Sequence, residues 1–229
     1  MPSHVRSVVR RIELMRITTT TPSRWTCGGC VPFTIVGIMP SFVATLRCRV
    51  KLFSQPLIVL DYESTGLFGK HEWAEPIELG AVALNEEGVE VGRFASFIRP
   101  NVLDERAADA LAVNHITPEM LADAADALMV GLRFVQFMGQ HGARFVTSFN
   151  IAFDKQGAEK MGLDLQWASC IMERAMKGMN VRRWPKLSVA AEHYGVAVVG
   201  EAHRAETEAR TAAGIAIAIR RAEVTHAPR

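Results

Sequence analysis

Cysteine is scarce in this chain: four occur among 229 residues, Cys27, Cys30, Cys48 and Cys170. Their number and scatter exclude a disulfide framework and make a reducing cytoplasm the expected setting. Cys27 and Cys30 have the spacing of a metal or redox pair, but no second pair follows to complete such a site. Acids are nearly missing from residues 1–55, where Glu13 stands against eight lysines and arginines for a charge of +7. Since the whole chain carries +2, the remaining 174 residues carry −5. A run of ~20 apolar residues, the length of a membrane span, is also lacking. The apolar stretch 31–39 contains Pro32 and stops at Pro40 and Ser41, and it starts too far from the amino terminus for a signal peptide. No membrane association is expected. Internal repeats are absent.

The basic segment 1–55 has the composition of an organelle transit peptide. A loosely ordered tail, or translation from an upstream start codon, is the simpler reading. The balance of the whole chain, 49% hydrophobic and 22% charged, is that of a globular protein.

From Pro56 the pattern becomes regular. Residues 57–61 read as a buried strand, and 77–84 and 89–98 as two more, separated by the turn Asn85-Glu86-Glu87-Gly88. Helices are expected at 105–111, 118–122 and 124–140, the last with apolar residues Leu128, Leu132, Val135 and Met138 at helical spacing. A fourth strand at 145–148 leads into a helix near Ile151. A fifth strand is expected within 165–170, followed by helices near 171–176, 187–194 and 205–221. Three antiparallel strands followed by alternating helix and strand describe an α/β sheet flanked by helices, with residues 222–229 as a short tail.

Three segments carry chemistry. Asp61-Tyr62-Glu63-Ser64-Thr65-Gly66-Leu67 follows the first strand, Asn150-Ile151-Ala152-Phe153-Asp154 follows the fourth, and His203-Arg204-Ala205-Glu206-Thr207-Glu208-Ala209 opens the last helix. Asp61 and Glu63 lie two apart, so both point to one face of an extended strand. Carboxylates gathered from separate strand ends suit hard, oxygen-seeking cations. Plainer readings exist for each: a solvated strand end for Asp61 and Glu63, a core role for Leu67, an N-cap for Asn150, a dipole-favoured acid for Asp154, a structural histidine for His203.

In this order, Asp-x-Glu-x-Thr-Gly, Asn-x-x-Phe-Asp and His-Arg-Ala-x-x-acid-Ala resemble the DEDDh 3′–5′ exonucleases, which include the proofreading epsilon subunits of bacterial DNA polymerases, RNase T and related phage exonucleases. The resemblance covers about three quarters of the chain, from Pro56 to Arg221, and implies an RNase H-like mixed sheet with three antiparallel strands and then two parallel ones. It implies two Mg²⁺ or Mn²⁺ ions held by Asp61, Glu63, Asp154 and Glu208, with His203 as the base. It further implies that Ser64, Thr65, Gly66 and Leu67 meet the terminal nucleotide, and that Asn150, Phe153, Asn114 and Thr117 complete the substrate site. The expected activity is release of nucleoside 5′-monophosphates from single-stranded 3′ ends, DNA being favoured over RNA. An exoribonuclease, and a catalytically weakened binding module, are the alternatives. A DNA polymerase is a conceivable partner, although no polymerase-binding tail follows Arg221.

The chain departs from the pattern at Glu208, where relatives have Asp. One methylene displaces the charge by about 1.5 Å, against a metal–metal separation of about 3.5–4 Å. Either the pocket accommodates Glu208, or Glu201 or Glu206 takes its place, or the enzyme is slow. A second departure is Val113-Asn114-His115-Ile116-Thr117, where relatives have His-Gly-Ile-Thr, so that Asn114 stands at their His and His115 at their Gly. Finally, Lys177, Arg182, Arg183 and Lys186 cluster around Trp184, a combination suited to phosphate contact and base stacking or, more plainly, to a solvated loop.

Overall fold

The run Leu57-Ile58-Val59-Leu60 is apolar at both parities, which only a strand covered on both faces can satisfy. In the computed structural model, which describes residues 55–225, these residues belong to the central strand β1 (Leu57–Ser64). The readings of Cys27, Cys30, Cys48, the basic segment and the stretch 31–39 concern residues outside that span.

Strand β2 (Pro76–Leu84) pairs antiparallel with β1, and β3 (Glu90–Arg99) pairs antiparallel with β2. Asn85 closes the β2–β3 turn, its side-chain carbonyl accepting from the N–H groups of Glu87 and Val89 at 3.1 and 2.8 Å. A 3₁₀ turn (Glu105–Ala107) leads into α1 (Ala108–Asn114), and α2 (Pro118–Ala122) follows. The two-residue β4 (Ala125–Asp126) pairs parallel with the end of β3 before α3 (Ala127–Gln140). Next come β5 (Phe145–Thr147), α4 (Ile151–Lys160), β6 (Gln166–Trp167), α5 (Ile171–Gly178), α6 (Leu187–His193) and α7 (Ala205–Thr225). The sheet order is β4-β3-β2-β1-β5-β6, with β1, β5 and β6 parallel. The mixed sheet flanked by helices is therefore as expected, with β4 as an additional edge strand.

The two parities of β1 serve two cores. Ile58, Leu60 and Tyr62 pack with Val130, Phe134, Phe137, Ala158 and Met161 of α3 and α4 and the turn that ends α4. Leu57 and Val59 pack with Ile171, Ala190, Ala209, Ala212 and Ile215 of α5, α6 and α7. Asp61 and Glu63 share the parity of Leu57 and Val59, so they face the side on which α7 lies. The small residues Ala205, Ala209, Ala212, Ala213 and Ala216 let α7 lie close to the sheet. The approach is tightest at Gly80, where a Cβ would stand 2.2 Å from the backbone of Ala205 and Glu206.

One expectation about α3 fails. Residues 124–126 are not helical, because Asp126 pairs with β3 and caps α3 by accepting from the Met129 N–H at 2.8 Å. Leu128, Leu132 and Val135 are 68%, 57% and 50% exposed, while Val130, Gly131, Phe134, Phe137 and Met138 are buried. The helix carries two apolar stripes offset by two residues, about 200° around the axis. The stripe bearing the phenylalanines buries more surface, so it faces the core. The short fifth strand of the expectation is Gln166–Trp167, inside the segment 165–170.

Candidate active site

Beyond Leu60 the strand carries its polar residues to the sheet's end, and a cavity of about 750 Å³ opens there. Asp61, Glu63, Asp154, His203 and Glu208 all line it, so three segments spread over the sequence meet in one place. Asp61 and Glu63 come from β1. Asp154 comes from the first turn of α4, where its carboxylate accepts from the Tyr62 N–H at 3.2 Å. Glu208 comes from the first turn of α7, and its Oε1 lies 3.4 Å from His203 Nδ1. Glu63, His203 and Glu208 each offer a ligand atom within 4.8 Å of the others, a spacing that can hold a cation. Among the described residues, no lysine or arginine ion-pairs with any of the four carboxylates.

Their titration follows from that crowding. Burial, then the charges of Asp154, Glu208, Glu63 and Glu78, hold Asp61 well above the carboxylate range. Burial and the neighbouring Glu208 and Glu78 push Glu63 up to about 8, against the pull of the Asn114 amide. Burial raises Asp154 to about 7, restrained by the Ser148 hydroxyl and the Tyr62 N–H. Burial also raises Glu208, while His203 lowers it. Four acids that resist ionising together form a donor set suited to divalent cations, whose charge removes the repulsion.

The question of the fourth acid has a geometric answer. Glu201 reaches Arg204 at 3.6 Å and Glu206 reaches Arg93 at 3.9 Å, and neither lines the cavity. Glu208, one helical turn beyond Arg204, does. His203 has φ +57°, a left-handed conformation costly for any residue with a Cβ, and its side chain is 52% exposed at the rim.

Of the remaining expected residues, Ser64, Thr65, Gly66, Leu67, Asn150, Phe153 and Asn114 line the cavity. Leu67 is 57% exposed there. Thr65 is fastened to the following loop, its hydroxyl accepting from the Glu75 N–H at 2.9 Å. Phe153 stacks obliquely on Phe68 at 4.7 Å. Asn150 starts α4, but its side chain makes no capping bond. Asn114 is buried, donating to the Ser64 carbonyl at 3.3 Å and accepting from the Ile116 N–H at 3.1 Å, so much of its amide is spent on the fold. Thr117 is not among the residues that line the cavity, and its hydroxyl caps α2 through the Met120 N–H. His115 has φ +56°, a left-handed conformation that glycine adopts without steric cost.

Several lining residues escaped the sequence reading. Lys70, His71, Trp73 and Arg106 also line the cavity, the His71 and Trp73 rings stacked at 4.9 Å and the Arg106 guanidinium 5.1 Å from the Trp73 ring. The aromatic and basic run just after the first motif was the available signal. Glu78 was missed too. It lies on β2 opposite Glu63, is 3% exposed, and receives Arg204 at 2.8 and 3.1 Å and the Ala205 N–H at 3.1 Å.

Residues 58–216 match the model of the RNase_T family, described as exonuclease. Over 115 residues, 48% of this chain, the sequence is 34% identical to the DNA polymerase III PolC-type of Bacillus cereus, and the match spans 8% of that relative's length. Among solved structures, the nuclease domain of 3′hExo, a DEDDh family member bound to rAMP, superposes with a TM-score of 0.58 at 20% identity, covering 73% of this chain and 92% of that one. Exonuclease X in complex with 5′ overhanging duplex DNA gives 0.57 at 20% identity, covering 73% and 93%. At this identity the structures show a common fold.

Proposed function

The chain belongs to the RNase_T family, described as exonuclease, and from that premise we propose that it is of the DEDDh type and removes nucleotides one at a time from the 3′ ends of single-stranded DNA, releasing nucleoside 5′-monophosphates. The observation that carries this reading is the convergence of Asp61, Glu63, Asp154 and Glu208 beside His203 on one cavity. The proposed exonuclease domain runs over residues 56–221. Among the described residues no helix is long and apolar enough to cross a membrane. The cytoplasm is its proposed setting.

Asp61, Glu63, Asp154 and Glu208 would hold two Mg²⁺ or Mn²⁺ ions. Such ions supply Lewis-acid stabilisation of phosphate charge and make water a stronger acid. The protein's own part is orientation and proton transfer. His203 turns Nδ1 toward Glu208, which leaves Nε2 to take the proton of the attacking water. Attack in line on the terminal phosphate breaks its bond to the 3′ oxygen of the preceding nucleotide. That oxygen leaves with a proton as a new 3′ hydroxyl. Gly66, Leu67 and Trp73 shape the wall against which the terminal nucleotide lies.

DNA is proposed over RNA on the likeness to a DNA polymerase, which also makes a polymerase the proposed protein partner. The test is digestion of 5′-labelled single-stranded DNA and RNA with Mg²⁺, Mn²⁺ or EDTA. A cation-dependent ladder shortening from the 3′ end, lost in Asp61→Ala, supports the reading, and the faster substrate decides between DNA and RNA. Absence of a ladder from the unaltered protein on either substrate rules out an active exonuclease and leaves a binding module.

A further inference from the structure

A second groove adjoins the catalytic cavity, and Asn150 lines both. At about 1480 Å³ it has about twice the volume of the first, 750 Å³. It passes from the start of α4 past Trp167 and along α5 to Tyr194, with Arg174, Lys177 and Trp184 among its lining residues. Trp184 is 59% exposed, a large apolar surface left in water. Residues 176–191 contain Lys177, Arg182, Arg183 and Lys186 and no acid, and all four cations are exposed. This basic edge stands on a segment, 56–229, whose net charge is −5. Two acids, Glu173 and Glu223, also line the groove; Glu223 is paired with Arg174, whose Nε has no acceptor. At Gly178 a Cβ would stand 2.2 Å from the Tyr194 hydroxyl, so glycine is what lets that ring sit against α5.

We propose that this groove carries the upstream part of the substrate strand, the nucleotides 5′ to the scissile phosphate. Trp184 stacks on a base, Lys177 neutralises a phosphate within the groove, and Arg182, Arg183 and Lys186, exposed on the segment that carries Trp184, neutralise phosphates at its edge. Three features single out a nucleic-acid strand as the occupant. The groove shares Asn150 with the catalytic cavity, the acid-free basic segment 176–191 contributes Lys177 and the exposed Trp184 to its lining, and that segment stands on an otherwise acidic domain. The inference rests on the exonuclease reading and specifies which surface binds the strand.

Fluorescence anisotropy of a labelled single-stranded DNA 12-mer in EDTA tests the groove without hydrolysis. Trp184→Ala is expected to weaken binding about five- to a hundredfold, with Trp184→Phe restoring most of it. Lys177→Ala and Arg183→Ala are each expected to reduce the slope of log affinity against log salt by about 0.7. All these positions are exposed, so the variants keep the fold. Unchanged affinity and salt slope would overturn the proposal and free the groove for another occupant, such as a protein. Hydrolysis of a chromogenic nucleoside 5′-monophosphate ester in Mn²⁺ probes the catalytic centre separately, since that substrate has no upstream nucleotide. The Trp184 and Lys177 variants are expected to match the unaltered protein there, and a loss of ester hydrolysis in them counts against a strand track. If the unaltered protein hydrolyses neither ester nor oligonucleotide, the exonuclease reading fails, while the anisotropy result still decides the groove.

Discussion

Arg204 forks onto Glu78 across 126 residues of sequence, with N–O distances of 2.8 and 3.1 Å, and the same carboxylate accepts the Ala205 N–H. Glu78 thus stands in for the missing N-terminal cap of α7 and ties the residues following His203 to the sheet. Removing it leaves a guanidinium without its main partner. Glu78→Ala is expected to lower stability by roughly 3 kcal/mol, the low end for a buried pair because Arg204 is 26% exposed. Urea unfolding checks the stability. Activity at temperatures where the variant stays folded is expected to fall as well, because His203 and Glu208 flank this anchor.

His203 should separate chemistry from stability. Its side chain is 52% exposed, so His203→Ala removes little packing. Loss of a proton acceptor is expected to lower kcat about 10²- to 10⁴-fold, with a Tm close to that of the unaltered protein. A variant retaining full activity would exclude His203 as the base.

Glu208→Asp restores the acid of the family pattern but withdraws the carboxylate by about 1.5 Å. Since Glu208 already lies within 4.8 Å of the ligand atoms of Glu63 and His203, the rest of the site is fitted to glutamate. The substitution is expected to lower kcat about tenfold to a hundredfold, the cost of a small misplacement. Steady-state assays in Mn²⁺ read this directly, and a faster Glu208→Asp enzyme would mean that glutamate disables the site.

The cation-free protein should lose stability as pH rises. Glu63 titrates at about 8 and Asp154 at about 7 in the folded chain, against ordinary values of 4.5 and 3.8. Below about pH 4 both states hold these protons and nothing is lost. Between there and about pH 8 the unfolded chain binds fewer protons than the folded one, so unfolding becomes easier with each step upward. In EDTA, Tm is expected to fall from pH 5 to pH 8. Mn²⁺ should restore it, more strongly at pH 8, because a cation replaces the protons. A flat or rising Tm in EDTA would contradict this assignment.

Some of the site was legible because its signals are local. The two-sided apolar run before Asp61 announces a central strand, and the i, i+2 spacing of Asp61 and Glu63 gives them one face. Asn150 and Asp154 are recognisable at a helix start because N-terminal preferences act within one turn. Leu128, Leu132 and Val135 correctly mark a helix, but two stripes of α3 satisfy the same period, and only packing against Phe94 and the rest of the sheet selects the buried one. The resemblance placed Thr117 beside the substrate, and the hydroxyl also serves as the cap of α2.

By itself the sequence determined the strands other than the short β4, the helices apart from the start of α3, the order of the three motifs and the acids available to them, because these depend on periodicity and on neighbours a few residues apart. Tertiary structure decided which of Glu201, Glu206 and Glu208 enters the cavity, that Glu78 holds Arg204, and that Trp184 borders a groove that shares Asn150 with the site. Those outcomes depend on how closely α7 approaches Gly80 and on where α5 lies beside α4. Such distances are set by burial and by charge pairing between segments far apart in the chain, and no local pattern encodes them.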